Sequence, residues 1–132
     1  MTAPSVDRLM RRDPMTTTLL DTLANAQAVM EREGFRQLPV VEKGVLVGML
    51  SDRDVRAHSG YLERTKVDAA VTERLITVAP TDSTAHVARL LLEHRINAVP
   101  VIDSGRLVGI VSRSDLLRLL LDLVEGPGSE GP

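Results

Sequence analysis

The sequence has no cysteine, no tryptophan and only two aromatic residues, Phe35 and Tyr61, among its 132 residues. The absence of cysteine excludes disulfides and thiolate metal sites. With so few aromatic rings, the chain offers no stacking platform for single-stranded nucleic acid. A formal net charge of −2 provides no basic surface for a duplex either. We therefore expect no nucleic-acid partner.

Long hydrophobic runs are also missing. No apolar run approaches the ~20 residues that cross a bilayer, and the first 15 residues lack the apolar stretch of a secretory signal. The three histidines, His58, His86 and His94, are far apart and lack the spacing of metal ligands. We expect a cytoplasmic protein with no membrane partner and no metal site.

What the sequence does contain is an internal repeat. A shift of 61 positions aligns residues 6–57 with residues 67–118 without a gap. Similarity at a fixed period indicates two copies of one supersecondary unit, which we place at residues 1–62 and 63–125. Because a unit of this size is marginally stable alone, we expect the two copies to share a core. Residues 126–132, rich in Gly and Pro, are predicted to be a disordered tail.

Each copy is predicted to be a β-α-β-β-α unit after a short leader, so the fold class is α/β, of the α+β type. In the first copy, Asp21 or Thr22 caps a helix that stops at Gly34. Pro39 is expected at the first residue of a strand or on an edge, because it cannot donate a hydrogen bond. The predicted elements are a leader helix at 6–10, strands at 15–18, 38–42 and 45–50 and, in the second copy, strands at 76–78, 99–102 and 107–111 and a helix at 83–95.

The last predicted helix is unusually apolar. Between Leu116 and Val124 only Arg118 and Asp122 are polar, at i, i+4 spacing. A helix that is apolar on nearly every side must be covered, and its own domain covers one side only. We therefore predict a twofold homodimer; the alternative is a pair of terminal helices that pack together within one chain.

Both hairpins end in Gly-h-h-Ser-x-x-Asp, where h is apolar, at residues 48–54 and 109–115. A serine followed three residues later by an acid is the pattern of a helix capping box. The same helix start suits a phosphate, and Arg53 and Arg113 lie in the first turn, where a cation is mildly unfavourable unless an anion is expected. A carboxylate there can also accept the two hydroxyls of a ribose. Both interpretations stay open on the residues alone.

The tandem pattern resembles a pair of cystathionine β-synthase (CBS) domains, and the resemblance covers about residues 4–125. It implies two repeats packed about a pseudo-twofold axis, with two clefts that bind adenosine-containing ligands. The matching segments are residues 12–17, 35–40 and 48–54 in the first copy and 75–80, 96–101 and 109–115 in the second.

The resemblance also implies the ligand-binding residues. The aspartate of each motif would hold ribose, the serine and nearby basic residues would hold phosphate, and the strand up to Pro39 or Pro100 would lie against adenine. Each cleft would draw on both repeats. One cleft would combine Ser112, Arg113 and Asp115 with Thr16, Arg36, Gln37 and Leu38; the other would combine Ser51, Arg53 and Asp54 with Thr77, Asn97, Ala98 and Val99.

The functional hypothesis is a regulatory module, not an enzyme, that senses AMP, ADP or ATP, uses no catalytic cofactor and acts through an unidentified target protein. Because Asp52 adds a negative charge beside one phosphate position, the cleft with Asp115 is preferred. The alternatives are a structural homodimerisation module without ligand, an S-adenosylmethionine binder and a nucleotide hydrolase. Hydrolysis is disfavoured because no general base accompanies the serines. The sequence leaves open which adenosine ligand binds, whether one or both clefts are filled, and how the subunits are oriented.

Overall fold

The structure is a computed structural model that describes residues 3–72 and 74–126. It confirms a mixed fold of helices and small sheets. Residues 127–132 of the predicted disordered tail lie outside the described part. In chain order the elements are α1 Val6–Leu9, β1 Arg11–Arg12, α2 Leu23–Glu33, β2 Gln37–Glu42, β3 Val45–Ser51, α3 Asp52–Arg56, a 3-10 turn Val67–Ala69, α4 Thr84–His94, β4 Ala98–Asp103, β5 Arg106–Ser112 and α5 Arg113–Glu125.

The chain divides into two compact units. The first-repeat unit contains the described parts of Asp13–Leu75 and Ser104–Leu107, and the second-repeat unit contains the described parts of Met1–Arg12, Ile76–Asp103 and Val108–Pro132. Each unit has its own hydrophobic cluster, one around Leu38 and Val55 and the other around Val99 and Val111. Both clusters mix the two sequence copies, since Val6 and Met10 of the first copy join the cluster of the second and Val67 of the second joins that of the first. One core common to both units stays a prediction.

The long helices begin and end where local chemistry predicts. Thr22, not Asp21, caps α2 with its side chain, and Ser83 caps α4 in the same way. Helix α2 ends at Gly34 in the left-handed conformation, with φ of 72°, as predicted. At the equivalent end of α4, Arg95 takes the same conformation with φ of 54°.

The hairpins form as predicted, with strands that reach about one residue further at their ends. Their tight turns have positive φ at two successive residues, Lys43-Gly44 and Ser104-Gly105, which matches the right-handed twist of the strands. The strand predicted at 15–18 is reduced to a parallel bridge from Thr17 to Val40, and the strand at 76–78 to the equivalent bridge from Val78. Two backbone hydrogen bonds at Thr17 and two at Val78 hold these bridges.

The leader of each repeat packs with the other repeat. In the second-repeat unit, β1 pairs antiparallel with β5, so that Arg11 lies opposite Ile110. In the first-repeat unit, Thr72 bridges to Met49 of β3 in the equivalent position. The compact units therefore do not coincide with the sequence repeats. The bounds 1–62 and 63–125 stay a prediction.

A glycine in each hairpin allows the leader of the other repeat to pack closely against it. A Cβ added to Gly48 would lie 2.4 Å from Val71 Cγ2 and 2.9 Å from the carbonyl oxygen of Thr72. A Cβ on Gly109 would lie 2.7 Å from Met10 Sδ and 2.8 Å from a leader carbonyl oxygen. The leader backbone crosses each strand too closely for any side chain at these positions.

Candidate functional site

Both Ser-x-x-Asp segments lie where a hairpin strand ends and a helix begins. At the start of α3, Asp54 N donates to Ser51 Oγ at 3.0 Å, and Ser51 N donates to Asp54 Oδ2 at 3.0 Å. At the start of α5, Ser112 N donates to Asp115 Oδ2 at 2.8 Å, and Asp115 N donates to Ser112 Oγ at 3.3 Å. Both are complete capping boxes, which satisfy two otherwise free N–H groups each.

Each helix start lies beside the beginning of the neighbouring strand in its own unit. The backbone N–H of Asp52 donates to the carbonyl of Arg36 at 2.8 Å, and that of Arg113 donates to the carbonyl of Asn97 at 2.8 Å. Gln37 pairs directly with Ser51 in the β2–β3 register. Each unit thus brings together a Ser-x-x-Asp segment and the strand start of one repeat. The combination of residues from opposite repeats stays a prediction.

The carboxylate of Asp54 is half-buried and only partly engaged. Its Oδ2 accepts the capping hydrogen bond from Ser51 N. Its Oδ1 accepts no hydrogen bond from any side chain or backbone group within residues 3–72 and 74–126. Arg56 of the same helix pairs with Asp52 at 3.6 Å instead, and Arg53 is exposed. One carboxylate oxygen, whose direction is fixed by the capping box, therefore keeps its acceptor positions unused by the described residues.

The carboxylate of Asp115 is buried, with the residue only 4% exposed. Its Oδ2 accepts from the backbone N–H and, at 3.0 Å, from the hydroxyl of Ser112. Its Oδ1 accepts from Arg118 Nη2 and lies 3.9 Å from Arg11 Nε. Both carboxylate oxygens are therefore occupied by groups of the protein itself.

The other predicted site residues fall into two classes. Five of them are buried in or beside the strands, and they can offer a ligand only backbone groups and apolar surface. The other five are half-buried or exposed polar residues. The buried ones are Leu38, Pro39, Ala98, Val99 and Pro100, and the polar ones are Thr16, Arg36, Gln37, Thr77 and Asn97. Among the described residues, the side-chain oxygen of Gln37 is the one buried polar side-chain atom without a hydrogen-bond partner.

Two residues at Asp115 were not predicted from the sequence. Arg118 lies three residues after Asp115 on α5, a spacing at which opposite charges on a helix meet. Helical spacing alone would therefore have indicated this pair. Arg11 comes from the leader at the far end of the chain, and no local pattern predicts its approach.

The second-repeat unit also carries an apolar groove of about 590 Å³ along α4 and α5, which we call the α4–α5 groove. Beside it, Leu121 and Val124 project with 56% and 74% of their surface exposed. The sequence-based expectation of an uncovered apolar face on the last helix is thus met within this unit. The groove is lined by Ala3, Thr84, Ala85, Ala88, Leu91, Leu92, Arg113, Leu116, Leu117, Leu119, Leu120 and Leu123.

Two further properties hold for residues 3–72 and 74–126. Within these ranges, no three His, Asp or Glu side chains cluster in a way that would hold a metal ion. No helix among them has the length and apolar character needed to cross a bilayer.

Comparison with known proteins places these features in a family. The family model of the CBS domain matches residues 6–60 and again residues 67–122. A CBS domain-containing protein of Bacillus subtilis, YhcV, is 34% identical over 113 residues, which are 80% of this chain and 81% of the relative.

Two solved structures are similar along nearly the whole chain. The CBS domain pair of protein MJ0100, solved in complex with 5′-methylthioadenosine and S-adenosyl-L-methionine, has a TM-score of 0.82 and 26% identity, covering 89% of this chain and 96% of its own. CBSX2, solved in complex with AMP, has a TM-score of 0.82 and 25% identity, covering 92% and 98%.

Proposed function

The chain belongs to the CBS domain family, and we propose that it is a regulatory module that binds an adenosine-containing ligand such as AMP, ADP or ATP. In this proposal it is not an enzyme and takes no catalytic cofactor. Its cytoplasmic location and its action on a target protein stay predictions of the same hypothesis.

The observation that carries the proposal is the state of the Asp54 carboxylate. A carboxylate accepts through about four lone-pair positions, and Asp54 uses Oδ2 for the capping box while Oδ1 accepts nothing from the described residues. The capping box removes the rotational freedom of this side chain, so that a ribose meets an acceptor that is already oriented. We propose that Asp54 accepts ribose hydroxyls and that Ser51 and the exposed Arg53 lie towards the phosphate.

Two similar structures support an adenosine ligand, since CBSX2 is in complex with AMP and the MJ0100 pair is in complex with S-adenosyl-L-methionine and 5′-methylthioadenosine. These ligands share the adenosine end and differ in the group attached to the 5′ carbon. An S-adenosylmethionine binder is therefore the first alternative to a nucleotide sensor. The arginine and serine of the motif favour a phosphate over a sulfonium cation, because a guanidinium attracts an anion and repels a cation.

Titration calorimetry with AMP, ADP, ATP, S-adenosylmethionine and 5′-methylthioadenosine tests the proposal, with GMP as the control for the base. At about a hundred times its dissociation constant, a bound ligand should raise the free energy of unfolding by about 2.7 kcal/mol. Heat from none of the five adenosine compounds, together with no shift in thermal unfolding, would contradict it.

The variant Asp54→Asn separates ribose binding from helix capping. An asparagine can still accept the hydrogen bond from Ser51 N through its carbonyl oxygen, but it places an NH₂ group where Oδ1 was. We expect the affinity for the adenosine ligand to fall at least tenfold while the free energy of unfolding stays within about 0.5 kcal/mol. An unchanged affinity would remove Asp54 from the site.

The structural alternative is a module in which both Ser-x-x-Asp segments are only caps, and the two complete capping boxes favour it. It predicts no ligand binding and a loss of about 1 kcal/mol in Asp54→Ala, through the lost hydrogen bond from Ser51 N alone. The calorimetric panel decides between the two functions, because the cap exists in both.

We further propose that a second copy of this chain covers the α4–α5 groove. The same face contains a groove and, beside it, the projecting Leu121 and Val124. A surface that holds both a ridge and a groove is complementary to its own copy under twofold symmetry. The exposed leucines on this face form a contiguous apolar patch, which marks an interaction surface, whereas single exposed apolar residues are common on any protein.

Light scattering after size exclusion tests the homodimer. We expect a dimer for the native chain and a monomer for Leu120→Glu, which places a charge in the groove. Leu20→Glu is the matched control, because Leu20 is 75% exposed in the other unit and should leave the dimer intact. A native chain that is monomeric at tens of micromolar would contradict the proposal.

A further inference from the structure

We infer that the chain's own arginines close the ligand position at Asp115, so that one adenosine ligand binds per chain until Arg118 is displaced. The inference rests on the proposed function, because it concerns the second of the two equivalent Ser-x-x-Asp segments. It assigns to Arg118, with Arg11, the role of deciding how many sites the protein offers.

The closure follows from how the Asp115 carboxylate is used. Oδ2 accepts two hydrogen bonds from Ser112, and Oδ1 accepts from Arg118 with Arg11 at 3.9 Å. The three hydrogen bonds take three of the about four acceptor positions of the carboxylate, which leaves too few for two ribose hydroxyls. With the residue only 4% exposed, a sugar reaches the carboxylate only after an arginine has moved away.

The Asp54 position has no counterpart of either arginine. A shift of 61 positions places Ala57 where Arg118 stands and Thr72 where Arg11 stands. Thr72 and Arg11 hold equivalent places on the backbone, since each lies opposite the corresponding residue of a hairpin strand. The difference between the two segments therefore comes from side chains and not from the path of the chain.

The arginines that α3 does carry are placed differently. Of the two arginines of α3, Arg53 is exposed, and Arg56 pairs with Asp52 and leaves the Asp54 carboxylate to the cap. The negative charge of Asp52, which made the other cleft preferable on sequence alone, is thus partly compensated. From these contacts we expect the ligand at Asp54, which is the reverse of the order expected from the sequence.

The closure is reversible, because the arginine side chains are 59% and 46% exposed and can move into solvent. A ligand whose site is available only for a fraction of the time binds with an affinity reduced by that fraction. We expect the Asp115 position to bind an adenosine ligand at least tenfold more weakly than the Asp54 position. Removal of the arginines should make this second binding event measurable.

Titration calorimetry with AMP as the probe tests the inference through the stoichiometry. We expect one AMP per chain for the native protein and for Arg89→Gln, which removes an exposed arginine of α4 in the same unit. In Arg118→Gln combined with Arg11→Gln we expect two AMP per chain. Circular dichroism at increasing temperature confirms that each variant is folded before it is titrated.

Two aspartate variants assign the binding events to their positions. In the native background, Asp54→Asn should lower the affinity of the single event at least tenfold. In the double arginine variant, Asp115→Asn should return the stoichiometry from two to one, because asparagine keeps the cap acceptor but not the second carboxylate oxygen.

The outcomes separate the inference from the proposed function. Two AMP per native chain, or one per chain in the double arginine variant, would overturn the closure and leave a nucleotide-binding module. No binding of AMP or any other adenosine compound to any variant would overturn both. One event in the native chain that keeps its affinity in Asp54→Asn would place the ligand elsewhere and overturn the inference.

Discussion

The two Ser-x-x-Asp segments share one backbone arrangement and differ in what surrounds the carboxylate. Both form a complete capping box at the end of a hairpin. At Asp54 one oxygen accepts no hydrogen bond from the described residues, whereas at Asp115 Arg118 and Arg11 engage the same oxygen. The repeated motif therefore preserves the local hydrogen bonds of a helix start. Whether its carboxylate is available to a ligand depends on neighbouring residues outside the motif.

Substitution of the hairpin glycines should have the same effect in the two repeats, and it should lower the free energy of unfolding more than substitution of the aspartates or of the helix ends. Gly48→Ala and Gly109→Ala each place a Cβ within 3 Å of a leader carbonyl oxygen, so we expect each to lower the free energy of unfolding by about 2–3 kcal/mol. Gly44→Asn is the control, because its Cβ meets nothing within 4 Å and asparagine tolerates positive φ. Urea unfolding measures all three; a neutral Gly48→Ala or Gly109→Ala would show that the leader can move away.

The aspartates are where the repeats should differ. Asp54→Ala removes the acidic half of one capping box, whereas the Ser51 cap remains, and should cost about 1 kcal/mol. Asp115→Ala removes the same half of the other box and also the buried partner of two arginines, and we expect a cost of about 2 kcal/mol, kept small because both arginines can regain water. Equal losses in urea unfolding would indicate that Arg11 and Arg118 do not hold Asp115 in solution.

Substitutions at the two helix ends should change the free energy of unfolding in opposite directions, and these are the smallest effects that we expect. Gly34→Ala forces a Cβ into the left-handed conformation at the end of α2 and should cost about 1 kcal/mol. Arg95→Gly removes that strain from the end of α4 and should stabilise the protein by about 0.5 kcal/mol, less than the strain itself because glycine has more freedom when unfolded. If Arg95→Gly lowers the temperature of thermal unfolding, the Arg95 side chain makes a stabilising contact that outweighs the backbone strain.

Local chemistry made much of the fold predictable. The Thr22 and Ser83 caps, the Gly34 stop and the two-residue turns depend on hydrogen bonds and φ angles within a few residues, and the sequence displays these directly. The short strand before each long helix was overestimated. A β-prone run of four residues became a bridge at Thr17, because only one residue reaches the edge of β2 where the Pro39 carbonyl is free to accept.

The sequence by itself determined that the chain is a tandem repeat with two Ser-x-x-Asp segments at helix starts and an apolar last helix. These properties are written in residue spacing, which needs no knowledge of distant parts of the chain. The tertiary structure alone decided that each leader packs with the other repeat, and that Arg11 thereby approaches Asp115. Contacts between remote segments depend on how whole elements pack, and a periodic pattern carries no information about which of two equivalent partners an element will join.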